Sequence, residues 1–230
     1  MIRQLALNIH LREETTFAAY YSGPNETASH ALQIASGRVG VARQIYLWGP
    51  SGVGKSHLLQ AVCHRSSALE RSSVYLPLTQ FGAADAQVLD DLGGIEAVCI
   101  DEVDAVVGHP NWEKALFNLI NTVRDADHCL VLASRANPAS IAVKLKDLQS
   151  RLTWGPVFHL RSLDDAAKFA LLKVRAKSSG LELKDDAARY LLNNCRRDVG
   201  SLLSALKRLD AASLAAQRRV TIPFIKSVLG

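Results

Sequence analysis

Eight consecutive residues, Gly49-Pro50-Ser51-Gly52-Val53-Gly54-Lys55-Ser56, have the types and spacing needed to hold a polyphosphate. They match G-x-x-x-x-G-K-[ST] at every fixed position. Glycines let the backbone turn tightly, so that successive N–H groups point inward at phosphate oxygens. Lys55 would reach the β- and γ-phosphates, and the Ser56 hydroxyl would ligate Mg²⁺. His57 follows at the start of the next helix, whose positive end adds to the attraction. A chance glycine-rich turn before an amphipathic helix would not require all four fixed positions.

A second chemical feature stands about 50 residues on. Ile100-Asp101-Glu102 ends an apolar run. In phosphate-loop ATPases an Asp at this point holds Mg²⁺ through water, next to the loop hydroxyl. An adjacent Glu can orient or deprotonate the attacking water. Asp101 is therefore the candidate metal-side acid and Glu102 the candidate catalytic base. Asp104 reads as a helix cap.

Regular elements must bring these groups together. Gln44–Trp48 reads as a strand, and 56–68 as a helix carrying Leu58, Leu59, Val62 and Cys63 at helical spacing. Further strands are expected at 73–78, 96–101, 129–133 and 156–160. Helices are expected at 84–92, closed by Gly93-Gly94, and at 112–124 with Leu116, Phe117, Leu119, Ile120 and Val123 on its apolar face. Strand and helix alternate through 44–160, which argues for an α/β fold with a parallel sheet covered by helices. From Asp164 onward only helical signals occur: 164–178, 185–195, 198–216 and 222–229. Asp164 and Asp185 stand where N-caps are expected, Pro223 suits a first turn and Gly180 a helix stop. The expected organisation is an N-terminal peptide (1–12), an α/β nucleotide-binding core (13–161) and a small helical lid (162–230).

Composition excludes several classes. No apolar run approaches the roughly 18 residues of a membrane span, and the first residues are too short and polar for a signal peptide. Cys63, Cys99, Cys129 and Cys195 lack C-x-x-C spacing and sit in apolar contexts, so reduced, buried thiols in a cytoplasmic protein are expected. Residues 161–230 carry 14 Lys/Arg against 7 Asp/Glu, whereas 1–160 carry 13 against 15. The basic lid could face nucleic acid or an acidic partner, or be an ordinary solvated surface; no basic run exceeds two residues, so charge alone does not argue for DNA binding.

A phosphate-loop core followed by a helical lid resembles the AAA+ class. In that class Ser134, at the end of the 129–133 strand, is placed like the residue that senses the γ-phosphate; Asn137 is a second candidate, and either could be a strand-end cap. Leu148-Gln149-Ser150-Arg151-Leu152-Thr153-Trp154-Gly155 resembles the L-x-S-R-[LF]-x-W-G segment of the bacterial initiator DnaA and its shorter relative Hda. Thr16–Asn25 resembles the F-x-x-[FY]-x-x-G-x-N segment that borders the adenine, with Phe17 as its first aromatic. Segments 210–213 and 221–225 resemble the Hda C-terminal helices, so the resemblance spans the chain.

The resemblance implies that Arg151 projects across a subunit boundary toward a neighbour's ATP. An always-charged planar guanidinium suits a transferring phosphoryl group, and such fingers accelerate hydrolysis roughly 10³–10⁵-fold. The plainer reading is a surface arginine before a core Trp. Gln4-Leu5-Ala6-Leu7-Asn8-Ile9 resembles the peptide with which Hda grips the DNA polymerase sliding clamp. Leu5, Leu7 and Ile9 would alternate into an apolar pocket while Gln4 bonds at its edge; the alternative is an edge strand. The chain stops at Gly230, so the initiator's C-terminal DNA-binding domain is expected to be absent. The lid arginine that touches nucleotide in this family falls at Gly200, with Arg196 or Arg197 as substitutes, and the usual Asp-Arg after the sensor strand reads Arg135-Ala136.

The implied function is regulation of replication initiation. ADP or ATP with Mg²⁺ would sit at 49–56, the clamp would bind the N-terminal peptide, and DNA would be engaged through the clamp. Arg151 would promote hydrolysis of ATP bound to DnaA, preventing re-initiation. Self-association into a homodimer is compatible with an AAA+ fold, and no membrane partner is implied. Two alternatives remain: a self-hydrolysing AAA+ ATPase such as a helicase loader, and a non-catalytic nucleotide-dependent scaffold.

Overall fold

A computed structural model describes residue 11 and the ranges 14–37, 43–196 and 198–230. The clamp-like residues Gln4, Leu5, Leu7 and Ile9, and Arg197, lie outside the described residues. The chain divides into two compact units, the first ending at Arg161 and the second running Ser162–Gly230.

The first unit is built on five parallel strands: β1 (Gln44–Trp48), β2 (Ser73–Pro77), β3 (Ala97–Asp101), β4 (Cys129–Ser134) and β5 (Val157–His159), in the order β2-β3-β4-β1-β5. β3 and β4 are buried along their whole length. Their near-continuous apolar runs reflect a sheet covered on both faces. Alternation assigns each face its own core. Tyr46, Val98, Ile100, Leu130 and Leu132 meet α3 (Pro110–Asp125), with Trp112 and Leu116. Ile45, Leu47, Cys99 and Val131 meet α1 (Glu26–Gly37) and α2 (Lys55–Ala68), with Leu32, Leu58 and Val62. Trp112 is fully buried and donates its indole N–H to the Gly82 carbonyl, so it is a core residue with its polar handle satisfied.

Several sequence expectations change. The helix expected at 84–92 is a 3₁₀ stretch, Asp85–Gly94, and Gly93-Gly94 fall inside it. The last strand is trimmed to Val157–His159. Asp104 caps no helix but pairs with Arg135. Trp154 is 37% exposed and is not a core residue. Cys63, Cys99 and Cys129 are buried free thiols, while Cys195 is only half-buried.

A short α4 (Lys146–Leu152) leads into β5. The second unit packs α5 (Asp165–Ser178), α6 (Asp185–Asn194), α7 (Val199–Ala216) and α8 (Ile222–Leu229) around Leu172, Leu191, Leu202, Leu209, Val220 and Ile225. Asp164 caps α5 by accepting from the Ala167 N–H at 2.7 Å. Asp185 is not a cap: Lys184 holds that position, and Asp185 is the first helical residue, paired with Lys173 at 2.7 Å. An acid there still suits the positive helix end. Among the described residues no helix is long and apolar enough to cross a membrane.

Candidate functional site

The phosphate loop leaves the carboxyl end of β1, and α2 begins at Lys55. Gly54 enters the helix at φ +97, and a Cβ there would lie 2.6 Å from Cε2 of Tyr20. Both facts demand glycine. Lys55 is 8% exposed, and its ammonium donates to the Gly49 and Pro50 carbonyls at 2.7 and 2.8 Å. Burial pulls its pKa below the ordinary lysine value, against the pull of Asp101 and Asp104. A buried ammonium held by two loop carbonyls is a cation set behind an anion cradle, so the loop fits a polyphosphate.

β3 delivers the acids. Asp101 is 1% exposed and accepts from the Tyr75 hydroxyl at 3.0 Å and the Glu102 N–H at 2.9 Å. Burial pushes its carboxyl pKa up; the Ser56 and Tyr75 hydroxyls hold it back. Asp101 and Ser56, the two residues expected to hold Mg²⁺, are thus neighbours, and a buried carboxylate among hydroxyls suits a hard divalent cation. Glu102 stands in the left-handed region at φ +59, and Thr79 donates its hydroxyl to the Glu102 carboxylate. A non-glycine residue held there stores backbone strain.

β4 closes the cluster. Ser134 is fully buried and donates to the Ala136 carbonyl, while its own carbonyl accepts from the Gly49 N–H at 3.3 Å. Ser134 therefore touches the loop through its backbone. Asn137 caps the following turn, accepting from the Ala139 N–H at 2.9 Å. His57 is joined to the Thr16 carbonyl at 2.9 Å and its ring tilts against Tyr20, while Phe17 packs on the α1/α2 side of the core. Asn25 ties this segment to the end of β5, exchanging two hydrogen bonds with the Arg161 backbone at 2.8 and 3.0 Å.

Arg151 is elsewhere. It sits near the end of α4, with its guanidinium carbon 3.6 Å from the Trp154 ring centre; Arg124 stacks on the same ring at 3.8 Å. Gln44 donates its side-chain amide to the Arg151 carbonyl. Gln44 opens β1 and the phosphate loop follows its end, so the two sites flank opposite ends of one strand, about 13 Å apart at the usual strand rise. Among the described residues the buried Arg151 Nε has no hydrogen-bond partner.

Two supporting interactions are not legible in the sequence. Glu113, 1% exposed on α3, accepts from the N–H groups of Gly108, Lys144 and Leu145 at 2.7–3.0 Å and so fixes the segment entering α4. Its signal was an acid three and seven residues before Leu116 and Ile120, on the apolar face of a helix. The other is the pair Asp104–Arg135, at 2.7 Å, whose partners are too far apart in sequence to be matched by spacing.

The family model for the bacterial DnaA ATPase domain matches residues 11–159, and the Hda lid-domain model matches 165–229. The chain belongs to the Hda-like, DnaA-homologous AAA+ family. A protein of Haemophilus influenzae, itself described only as uncharacterized, is 38% identical over 232 residues, which covers 100% of this chain and 99% of that one. Domain III of the Thermotoga maritima DnaA superposes with a TM-score of 0.81 at 21% identity, over 96% of this chain and 97% of that one. AMPPCP-bound DnaA from Aquifex aeolicus gives 0.76 at 23% identity, over 86% of this chain and 65% of that one. The RuvB branch-migration motor of Thermotoga maritima gives 0.66 at 18%, over 91% and 68%. The structural likenesses establish the AAA+ fold; the family models add the kinship with replication-initiation regulators.

Proposed function

We propose that this chain is an Hda-like regulator that promotes hydrolysis of ATP bound to the DnaA initiator. Residues 49–56, with Asp101, would hold ADP or ATP and Mg²⁺, and His57, Phe17 and Ser134 would border the nucleotide. The bound Mg²⁺ would neutralise phosphate charge beside Ser56 and Asp101. The reading is supported above all by the position of Arg151 at the opposite end of β1 from the phosphate loop. An arginine so placed cannot serve the nucleotide of its own chain; it can serve one held by a neighbour. There its fixed charge would stabilise charge developing on the transferring phosphoryl group. Trp154 holds the guanidinium on one face, reducing the freedom lost on docking.

Gln4, Leu5, Leu7 and Ile9 would dock on the sliding clamp, bringing the protein to DNA through the clamp and raising the local concentration of Arg151 near the initiator. The test is hydrolysis of initiator-bound ATP with DNA and loaded clamp. Stimulation by wild type should be lost in Arg151→Ala and in a deletion of residues 1–9. Stimulation unchanged by Arg151→Ala would overturn the proposal.

A second reading has its own support. The hydroxyl-bound Asp101 and the adjacent Glu102 are what a self-hydrolysing ATPase needs. Intrinsic turnover abolished by Glu102→Gln, without any effect on the initiator, would favour it.

A further inference from the structure

The loops that close the nucleotide site contain a cation so far given no role. Arg135 follows Ser134, which is in register with Trp48 and receives the Gly49 N–H. Arg135 therefore stands beside the first residue of the phosphate loop, just past the carboxyl end of β4, the strand lying between β1 and β3. Asp104 grips it twice: Oδ1 accepts from the Arg135 backbone N–H at 3.0 Å, and Oδ2 accepts from its Nε at 2.7 Å. Among the described residues Nη1 and Nη2 have no hydrogen-bond partner, and the side chain is 72% exposed. Lys55 and Glu102 both lie within electrostatic range of this guanidinium.

A guanidinium held by its Nε keeps its two terminal nitrogens as a fork suited to phosphate oxygens. We propose that Asp104 and Arg135 form a latch that reads the number of phosphates on the bound nucleotide. Arg135 donates to the terminal phosphate of a triphosphate, and Asp104 competes for the same guanidinium. With a diphosphate the ion pair stays closed; with a triphosphate Arg135 is shared or released, and the loop after β4 moves with it. The competition lowers preference for the triphosphate relative to a free arginine. This rests on the reading of residues 49–56 as a nucleotide site.

The two partners then have opposite effects, which a merely structural ion pair would not produce. Titration calorimetry with Mg²⁺-AMPPCP and Mg²⁺-ADP measures the ratio of the two affinities. Arg135→Gln should lower AMPPCP affinity about tenfold relative to ADP, the usual weight of a hydrogen bond to a charged group. Asp104→Asn should raise it severalfold, and the double variant should behave like Arg135→Gln. Partly exposed ion pairs contribute little to stability, so these variants should fold, as melting temperatures within a few degrees of wild type would show. If both single variants leave the ratio unchanged, or shift it in the same direction, the latch is overturned while the nucleotide site stands. If wild type and Lys55→Ala bind neither nucleotide, the site reading fails and the latch with it.

Discussion

Gln44 donates its side-chain amide to the backbone carbonyl of Arg151 across 2.6 Å, bolting the arginine-bearing α4 to the first residue of β1. The same junction contains Gly155, where an added Cβ would lie 1.8 Å from the Gln44 carbonyl oxygen. Backbone is the obstacle, so no rotamer change relieves it. Gly155→Ala should cost about 3 kcal/mol, the scale of severe packing strain, read by urea denaturation. Gln44→Ala should cost only about 1 kcal/mol, that of a single hydrogen bond. If Gly155→Ala proves as mild as Gln44→Ala, the close approach of α4 and β1 is wrong.

Trp154 makes a separate contribution. Its half-exposed ring is sandwiched between the guanidinium groups of Arg151 and Arg124. Such contacts at exposed sites are worth about 0.5–1 kcal/mol each. Trp154→Ala should leave the fold stable to within about 1–2 kcal/mol but lower initiator stimulation about tenfold, because a loosened guanidinium must be ordered on docking. Trp154→Phe should retain most of it. Arg151→Lys should fail, since an ammonium lacks the planar fork and stacks poorly. Initiator hydrolysis rates, alongside unfolding curves, separate positioning from folding.

The legibility of the sequence followed the range of the forces involved. The phosphate loop, β1–β4, α3 and the four lid helices are set by local periodicity and by residues no more than a few positions apart. The stretch Asp85–Gly94 reads in the sequence only as a short helix, because apolar residues spaced three apart suit either helical form, and packing against α3 makes it 3₁₀. Asp104 reads as a cap in the sequence because its partner Arg135 lies 31 residues away, just past the end of β4. Trp154, a core residue only in the plainer reading of the Arg151 segment, is covered by two arginines instead. The acidic and glycine-loop residues of the site were legible in type and order. What holds them, from Tyr75 under Asp101 to Thr79 on Glu102, depends on strand register and was not.

Glu113 links stability to pH. Burial pushes its carboxyl pKa up, but the N–H groups of Lys144, Gly108 and Leu145 outweigh burial and leave it below the ordinary glutamate value of 4.5. A depressed folded-state pKa means the unfolded chain takes up the proton first as pH falls. The stabilisation is therefore present above 4.5 and lost as pH drops toward the folded value. Glu113→Gln should cost about 2 kcal/mol at pH 7, since an amide brings N–H groups to face N–H groups. It should also flatten the acid limb of a plot of stability against pH. An unchanged acid limb would mean that the carboxylates of Glu96, Asp104, Asp185 and Asp198, also lowered in the fold, account for it without Glu113.

Asp101 should behave in the opposite sense. Burial raises its pKa, against the Ser56 and Tyr75 hydroxyls, so its charged form is a liability in the protein without a cation. A raised folded-state pKa contributes stability below the unfolded value and loses it as pH rises through the folded one. At pH 7 Asp101→Asn should therefore melt higher than wild type in nucleotide-free buffer, by about 3 °C, the response of a chain this size to about 1 kcal/mol. Stability would come at the expense of the cation, because an amide is a poor ligand for Mg²⁺ beside Ser56. Nucleotide titrations with and without Mg²⁺ should show strong metal dependence in wild type and little in Asp101→Asn. Equal tightening by Mg²⁺ in both proteins would remove Asp101 from the cation site and leave Ser56 as the remaining candidate ligand.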